Sequence, residues 1–339
     1  MNENHQLGAT PNAFNRRATA QGNFALGPLQ QLVIGDQWVG DSGFNLMVVP
    51  NPEQQFLVMI SPLFETHQFA AVPAPVPNRS AKNGTAQNGA IKYSQTVAEK
   101  VSKNILHEET GMWLNQTAGV LPTDCSGYGL QMVDATTTDC FITPNPIMRS
   151  GTIPHGNTIH ATGTSTTFDK PASGDVRPFL QLNNFPTADG ELAFLPTFVD
   201  GSDPGDMQHD FRQQIAASLK LLGETEFTVD DFINPIRLLN KHANNLNSVT
   251  SLAVSTQTGR GGVINVPYER AFAGPQDFIC TFMIEEVATP GTVAASAQDE
   301  AACFFQIQYL QSIPLLFPKG YKGKDVLFPH WNVNTLIAI

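Results

Sequence analysis

Eight histidines stand in a chain of 339 residues of which only 14% are charged, and they are its most versatile side chains. A near-neutral imidazole moves protons or donates a lone pair to a metal. His5 lies in a polar N-terminal stretch, and His209 and His242 fall on segments with helical spacing, so these three read as solvated surface groups. His67 and His160 sit in strand-like runs among ordinary neighbours. His107 opens His107-Glu108-Glu109-Thr110-Gly111, an acidic cluster in an otherwise uncharged strand. His155 is bracketed by Pro154 and Gly156, and His330 follows Pro329 near the C-terminus. Two readings of this trio stay open: three separate hydrogen-bonded histidines at strand ends, or one cavity reached from three strands. Zinc would usually ask for a closer pair or a carboxylate partner on one element.

Other chemistries find less support. There is no Gly-x-Ser-x-Gly elbow, and Gly259-Arg260-Gly261-Gly262 lacks the following helix that an anion site needs. Glu108 and Glu109 are adjacent, so on a strand they face opposite sides and form no carboxylate pair. A formal charge of −11 excludes a nucleic-acid surface, which requires a basic field. No run of about 18 apolar residues predicts a membrane helix. The N-terminal residues lack the basic-then-apolar order of a secretory signal, which predicts a cytoplasmic protein. Cys125, Cys140, Cys280 and Cys303 have no metal-ligand spacing; the last two are expected to be buried free thiols, whereas Cys125 and Cys140 flank a turn-rich segment and could pair only in an oxidising compartment.

The elements that must position these residues are mostly strands. Strand signals cover Gln37 to Pro50 with a turn in the middle, Phe56–Ile60, Phe64–Phe69, Ala90–Val97, Leu106–Leu114, Pro146–Thr167, Val249–Thr256, Phe278–Val287, Cys303–Leu316 and the uncharged closing run Leu327–Ile339. Leu26 to Leu32 reads as a short helix or turn. Phe211, Ile215, Leu219 and Leu222 keep helical spacing up to Gly223, and Asn234-Pro235 signals a second helix. The organisation is therefore a tail over 1–24 and one β domain over 25–339, with a helical insertion at 206–247 expected to lie over one barrel opening. Ten short strands predict an all-β sandwich or an up-and-down antiparallel barrel, and a barrel this wide predicts a ligand cavity. On the last strand Trp331, Val333, Thr335 and Ile337 share one face and His330, Asn332, Asn334 and Leu336 the other. His330 thus points inward only if the interior is the more polar side.

Several stretches taken together resemble the haem-binding β-barrel proteins of the nitrobindin-like, fatty-acid-binding-protein-like (calycin) group in their longer bacterial form. They are Leu26-Gly27-Pro28-Leu29, Trp38-Val39-Gly40, Gly43-Phe44-Asn45, Tyr93-Ser94-Gln95, His107 to Trp113, Ile153 to Asn157 with Ala161 to Thr164, and Phe328 to Leu336. They occur in the family's order and cover most of the chain from residue 26 on. The resemblance implies an up-and-down antiparallel barrel of about ten strands, calycin-like, with a helical insertion before the last strands. It implies haem b as cofactor, with His330 as the proximal iron ligand and His107 as a distal residue. His155 has no secure counterpart in the short members and is added as a second distal candidate by inference. Met112, Trp113 and Phe328 are the further expected cofactor contacts. Such a distal set permits peroxidase-like or reactive-nitrogen chemistry on a small oxidant without requiring it. Two other functions remain open, a carrier of an apolar small molecule without haem, and a structural or interaction protein whose interior is filled by its own side chains.

Overall fold

The computed structural model describes residues 26–53, 55–73, 89–115, 147–153, 157–169, 191–239, 246–256, 262–264, 274–288 and 303–339, with the short strands Val120–Leu121, Cys140–Phe141 and Thr187–Ala188. The tail over 1–24, the loop holding Cys125, and His155 and His242 lie outside the described residues.

In chain order the strands are β1 Trp38–Gly40, β2 Phe44–Asn51, β3 Gln55–Ala71, β4 Gly89–Glu99, β5 Ile105–Asn115, β6 Ile147–Thr152, β7 Thr158–Asp169, β8 Leu246–Ser255, β9 Ile279–Ala288 and β10 Cys303–Ser312, followed by β11 Leu315–Tyr321, β12 Lys324–Phe328 and β13 Trp331–Ala338. β1 and β2 occupy one position in the wall, and each pairs antiparallel with β3 on one side and β13 on the other. From β3 to β10 every strand pairs antiparallel with the next, and β10 pairs with β13. The result is a closed ten-stranded up-and-down antiparallel barrel, an all-β fold with a small helical insertion. β11 and β12 form a hairpin in a separate four-stranded sheet.

Prolines set the strand limits that apolar patterning misses. Pro314 divides the run expected from Cys303 to Leu316 into β10 and β11, and Pro329 divides the closing run into β12 and β13. Pro62, by contrast, is tolerated inside β3, which joins two expected strands into one of 17 residues.

The helix α1, Gly205–Leu222, buries Met207, Phe211, Ile215 and Leu219 along one stripe. Gly223 ends it at φ 67°, a conformation that costs glycine nothing. The next helix, α2 over Val229–Ile233, begins a turn before the Asn234-Pro235 signal, because Asp231 accepts the Thr228 N–H (2.8 Å) and caps the turn. Asn234-Pro235 opens only a 3-10 turn, Pro235–Leu238.

The insertion does not lie over a barrel opening. Its apolar stripe packs on the outer wall, against Phe44, Leu46, Val48, Phe56, Val58, Ile60, Trp331 and Val333. Phe232 lies 5.2 Å from Phe44 and 5.9 Å from Trp331, ring centre to ring centre. The outward face of these strands is apolar and needs a cover, which the openings do not provide. One end of the barrel is closed instead by the 3-10 turn Gly27–Val33, whose Leu29 and Leu32 are buried among Trp38, Phe69, Ile91, Trp113 and Leu336. Trp38 donates its indole N–H to the Leu32 carbonyl (2.9 Å), fixing the plug to the wall.

Candidate functional site

Because the outward face took the apolar residues, the inward face carries polar ones. On β3 the inward positions are Leu63, Glu65, His67 and Phe69; on β5 they are His107, Glu109, Gly111 and Trp113; on β13 they are Asn332, Asn334 and Leu336, with His330 just before them. His330 therefore points into a barrel whose interior is the more polar side.

Midway along the interior these side chains bond across the barrel. Glu65 accepts from the Tyr309 hydroxyl on both oxygens (2.8 and 2.7 Å), from Gln95 Nε2 (2.6 Å), from Asn334 Nδ2 (3.0 Å) and from His67 Nε2 (2.5 Å). Burial alone would raise the Glu65 carboxyl; the His67 ring beside it, with donation from Tyr309 and Asn334, carries it below the usual carboxylate range. Arg149, wholly buried, donates to Glu109 (2.5 Å), Gln311 (2.8 Å), Cys280 Sγ (3.3 Å) and the Tyr93 hydroxyl (3.2 Å). Burial opposes its charge, but Tyr93, Glu109 and Cys280 leave it more firmly protonated than free arginine. The Cys280 thiol is pushed by burial up to about 12 in spite of Arg149, so it is an inert acceptor. Room for this layer comes from Gly111 and Gly151, opposite one another on β5 and β6. A Cβ at Gly151 would come within 2.5 Å of the Tyr93 hydroxyl.

Toward the end away from the plug the network becomes a short chain of imidazoles and amides. Asn45 Nδ2 lies 2.5 Å from Asn332 Oδ1, 3.2 Å from His330 Nε2 and 3.4 Å from the Trp331 carbonyl. Asn332 Nδ2 lies 3.4 Å from His107 Nε2. The Trp331 carbonyl can only accept, so Asn45 presents nitrogen there and both amides follow in one sense. The Nε2 of His330 and of His107 thus each face an amide nitrogen, and in the Nδ1-protonated tautomer each accepts there.

The structure thus brings His330 and His107 to one end of the interior. Trp113 is also interior but fully buried on the plug side of Arg149. Met112 is on the outer face of β5, packed with Ala90, Leu114 and Met148. Phe328 is buried in the outer core, 4.7 Å from Phe56 and 5.0 Å from Phe317 between ring centres. Neither Met112 nor Phe328 lines the interior: Met112 sits at an outward position of β5, and Phe328 belongs to the separate sheet outside the barrel wall. His155 lies outside the described residues. Sequence reasoning set His67 aside as a strand histidine among ordinary neighbours and passed over Glu65, Arg149, Tyr309 and Gln311. The available signal was Glu65-x-His67, two titratable residues two apart in an apolar strand and therefore on one face. Among the described residues no three histidine, cysteine, aspartate or glutamate side chains gather into a metal site. No described helix is long and apolar enough to cross a membrane.

No family model matches the chain, and no curated protein matches it. Among solved structures, Rv2717c from Mycobacterium tuberculosis aligns over 93% of this chain and 97% of its own, at 12% identity and a TM-score of 0.37. Rv0216 from the same organism, described as a double hotdog fold, aligns over 92% and 81%, at 12% identity and a TM-score of 0.13. The class stated above, a closed up-and-down barrel, rests on the strand pairing alone.

Proposed function

We propose that this protein binds haem b at the barrel end opposite the plug, with His330 as the iron ligand and His107 as the neighbouring polar group. The observation that carries the reading is the Asn45–Asn332 amide pair, which contacts the Nε2 of both histidines and links them at one end of the barrel. A neutral imidazole presenting Nε2 is the usual haem ligand. Asn45 would give up its contact with His330 Nε2 and keep Asn332, so the amide serves as a placeholder that orients the ring. Bound haem would supply an iron centre that accepts a peroxide or a diatomic ligand. His107, linked to the same amide pair, supplies a hydrogen-bonding group for such a small oxidant. The nitrobindin-like resemblance agrees with this assignment of the two histidines.

A second reading, an apolar small-molecule carrier, draws support from exposed Leu57 and Met59 on the strand beside Asn45. Both predict an apolar ligand, but only haem makes His330 indispensable. Titration with haemin should give a Soret band in the wild type that His330→Ala abolishes and added imidazole partly restores. His107→Ala should keep haem and slow the reaction with peroxide. An unchanged spectrum in His330→Ala would end the iron assignment and leave the carrier.

A further inference from the structure

Among the described residues, polar side chains fill the middle of the barrel. Glu65, Glu109, Arg149 and Tyr309 are at 0% exposure, their hydrogen bonds cross the barrel between His330 and the plug, and the Trp113 ring is buried beside Arg149. A ligand held by His330 must therefore extend outward from the mouth.

What stands outward is an arm. β2 and β3 stay paired through Met47↔Met59 and Val49↔Leu57 to Asn51↔Gln55. β2 leaves β13 at Leu46↔Trp331, and β3 leaves β4 at Leu63↔Glu99. The arm thus overhangs both neighbours. Its outward side chains, Val48, Phe56, Val58 and Ile60, are buried in the outer core. Its inward ones, Met47, Val49, Leu57 and Met59, continue the face that carries Asn45, with Leu57 38% and Met59 41% exposed.

A free two-stranded arm is marginal by itself, but this one is held. The free edge of β3 bonds to α1 in place of a strand: Val58 N–H donates to Gln214 Oε1 (2.8 Å), Gln214 Nε2 donates to the Phe56 carbonyl (3.0 Å), and Ser218 donates to the Val58 carbonyl (3.0 Å). The arm tip is tied by Lys322 N–H to Gln55 Oε1 (2.5 Å). A rigid shelf with half-exposed apolar residues and two facing thioethers is a surface on which a flat, polarisable ring system binds without an ordering cost.

The geometry points to the inward face of this arm, Met47, Val49, Leu57 and Met59, as the seat for the flat body of a porphyrin whose metal is taken by His330. This deepens the haem reading and rests on it for the iron only; the seat itself requires no metal. The arm therefore governs which ring systems bind, and His330 governs which metal state is held.

The probes are haemin and metal-free protoporphyrin IX, titrated into the full-length protein by absorbance and fluorescence. Wild type should bind both. Met47→Glu/Met59→Glu, which places charge under the ring, should weaken both by on the order of tenfold or more, an effect of lost apolar contact. Met59→Gln, neutral and at a half-exposed position, should weaken both by a smaller factor and serves if the double variant is unfolded by circular dichroism. His330→Ala should lose the histidine-ligated haemin spectrum and weaken haemin toward the affinity of the metal-free ring, whose own binding it leaves unchanged. Wild-type affinity for metal-free protoporphyrin in the Met59→Gln and double variants overturns the seat. Binding of the metal-free ring with a haemin spectrum indifferent to His330→Ala supports the seat and overturns the iron assignment. Binding of neither ring by wild type overturns both.

Discussion

The two faces of the barrel wall hold buried carboxylates under opposite conditions. Inside the barrel, Glu65 and Glu109 have cationic or ring partners in His67 and Arg149. On the outer wall, Glu285 is equally buried but bonds only to the amides Gln306 (2.5 Å) and Gln308 (2.7 Å). Burial pushes Glu285 up to about 7, its two amides opposing only in part, whereas Glu65 moves down. Depth is the same, so the neighbour decides the sign. The interior is built to hold charge and the outer core to hold a proton.

The largest way to break this contrast is to strip the inner layer of its cation. Arg149→Met leaves Glu109 buried beside an apolar side chain, and its removal should cost about 3–5 kcal/mol in chemical denaturation. Arg149→Met with Glu109→Gln should recover much of that loss, because no unpaired charge remains.

Next in size are the pH slopes, which should run in opposite directions. Glu285 has a raised folded-state pKa, so the native state retains a proton that the unfolded chain releases above its ordinary carboxylate value of 4.5. Its contribution to stability is full below that value, falls as pH rises toward about 7, and is flat beyond. Glu285→Gln should therefore remove this slope and be the more stable protein at pH 8, by roughly 3 kcal/mol. Glu65, with a lowered folded-state pKa, contributes above its unfolded value and loses that contribution as pH falls. Glu65→Gln should flatten the acid side only. Urea midpoints across pH 2 to 9 test both, and parallel slopes in the two variants would contradict the contrast.

The smallest effect concerns space. Gly151→Ala drives a methyl into Tyr93 and the Thr110 carbonyl, and overpacking of this kind costs about 1–3 kcal/mol. Gly262→Ala meets nothing within 4 Å and should shift the melting temperature little. Equal melting temperatures in the two variants would mean that the glycine pair does not create the room Tyr93 occupies.

The barrel was legible because period-two alternation and turn residues specify antiparallel strands wherever they lie. Its inside and outside were not. Trp331 and Val333 look like core and His330 and Asn332 like surface, yet both pairs are buried, because a second core of helices and a hairpin covers the outer wall. Only long-range packing reveals that cover. His330 and His107 were found from their positions beside Pro329 and within an acidic run. Arg149 carries no such mark: in Met148-Arg149-Ser150 it is one charge among turn residues, and its partners Tyr93, Glu109, Cys280 and Gln311 come from four other strands. Met112 and Phe328 were expected at the cofactor for their chemistry, but the parity of β5 and the placement of β12 turn both away from the interior.

The wall closes where Phe44 meets Val333 and Trp38 meets Ala338, residues nearly 300 positions apart in sequence. β1 and β2 therefore wait for all the other wall strands before they can find their partner on that side. Until then β1 and β2 present an open edge, and the intermediate ladder can extend onto another chain as readily as onto its own. Contacts of such long sequence separation also slow the search itself. The strand Trp331–Ala338 thus sets the tempo of folding: without it the wall has every other strand and no means of sealing the barrel.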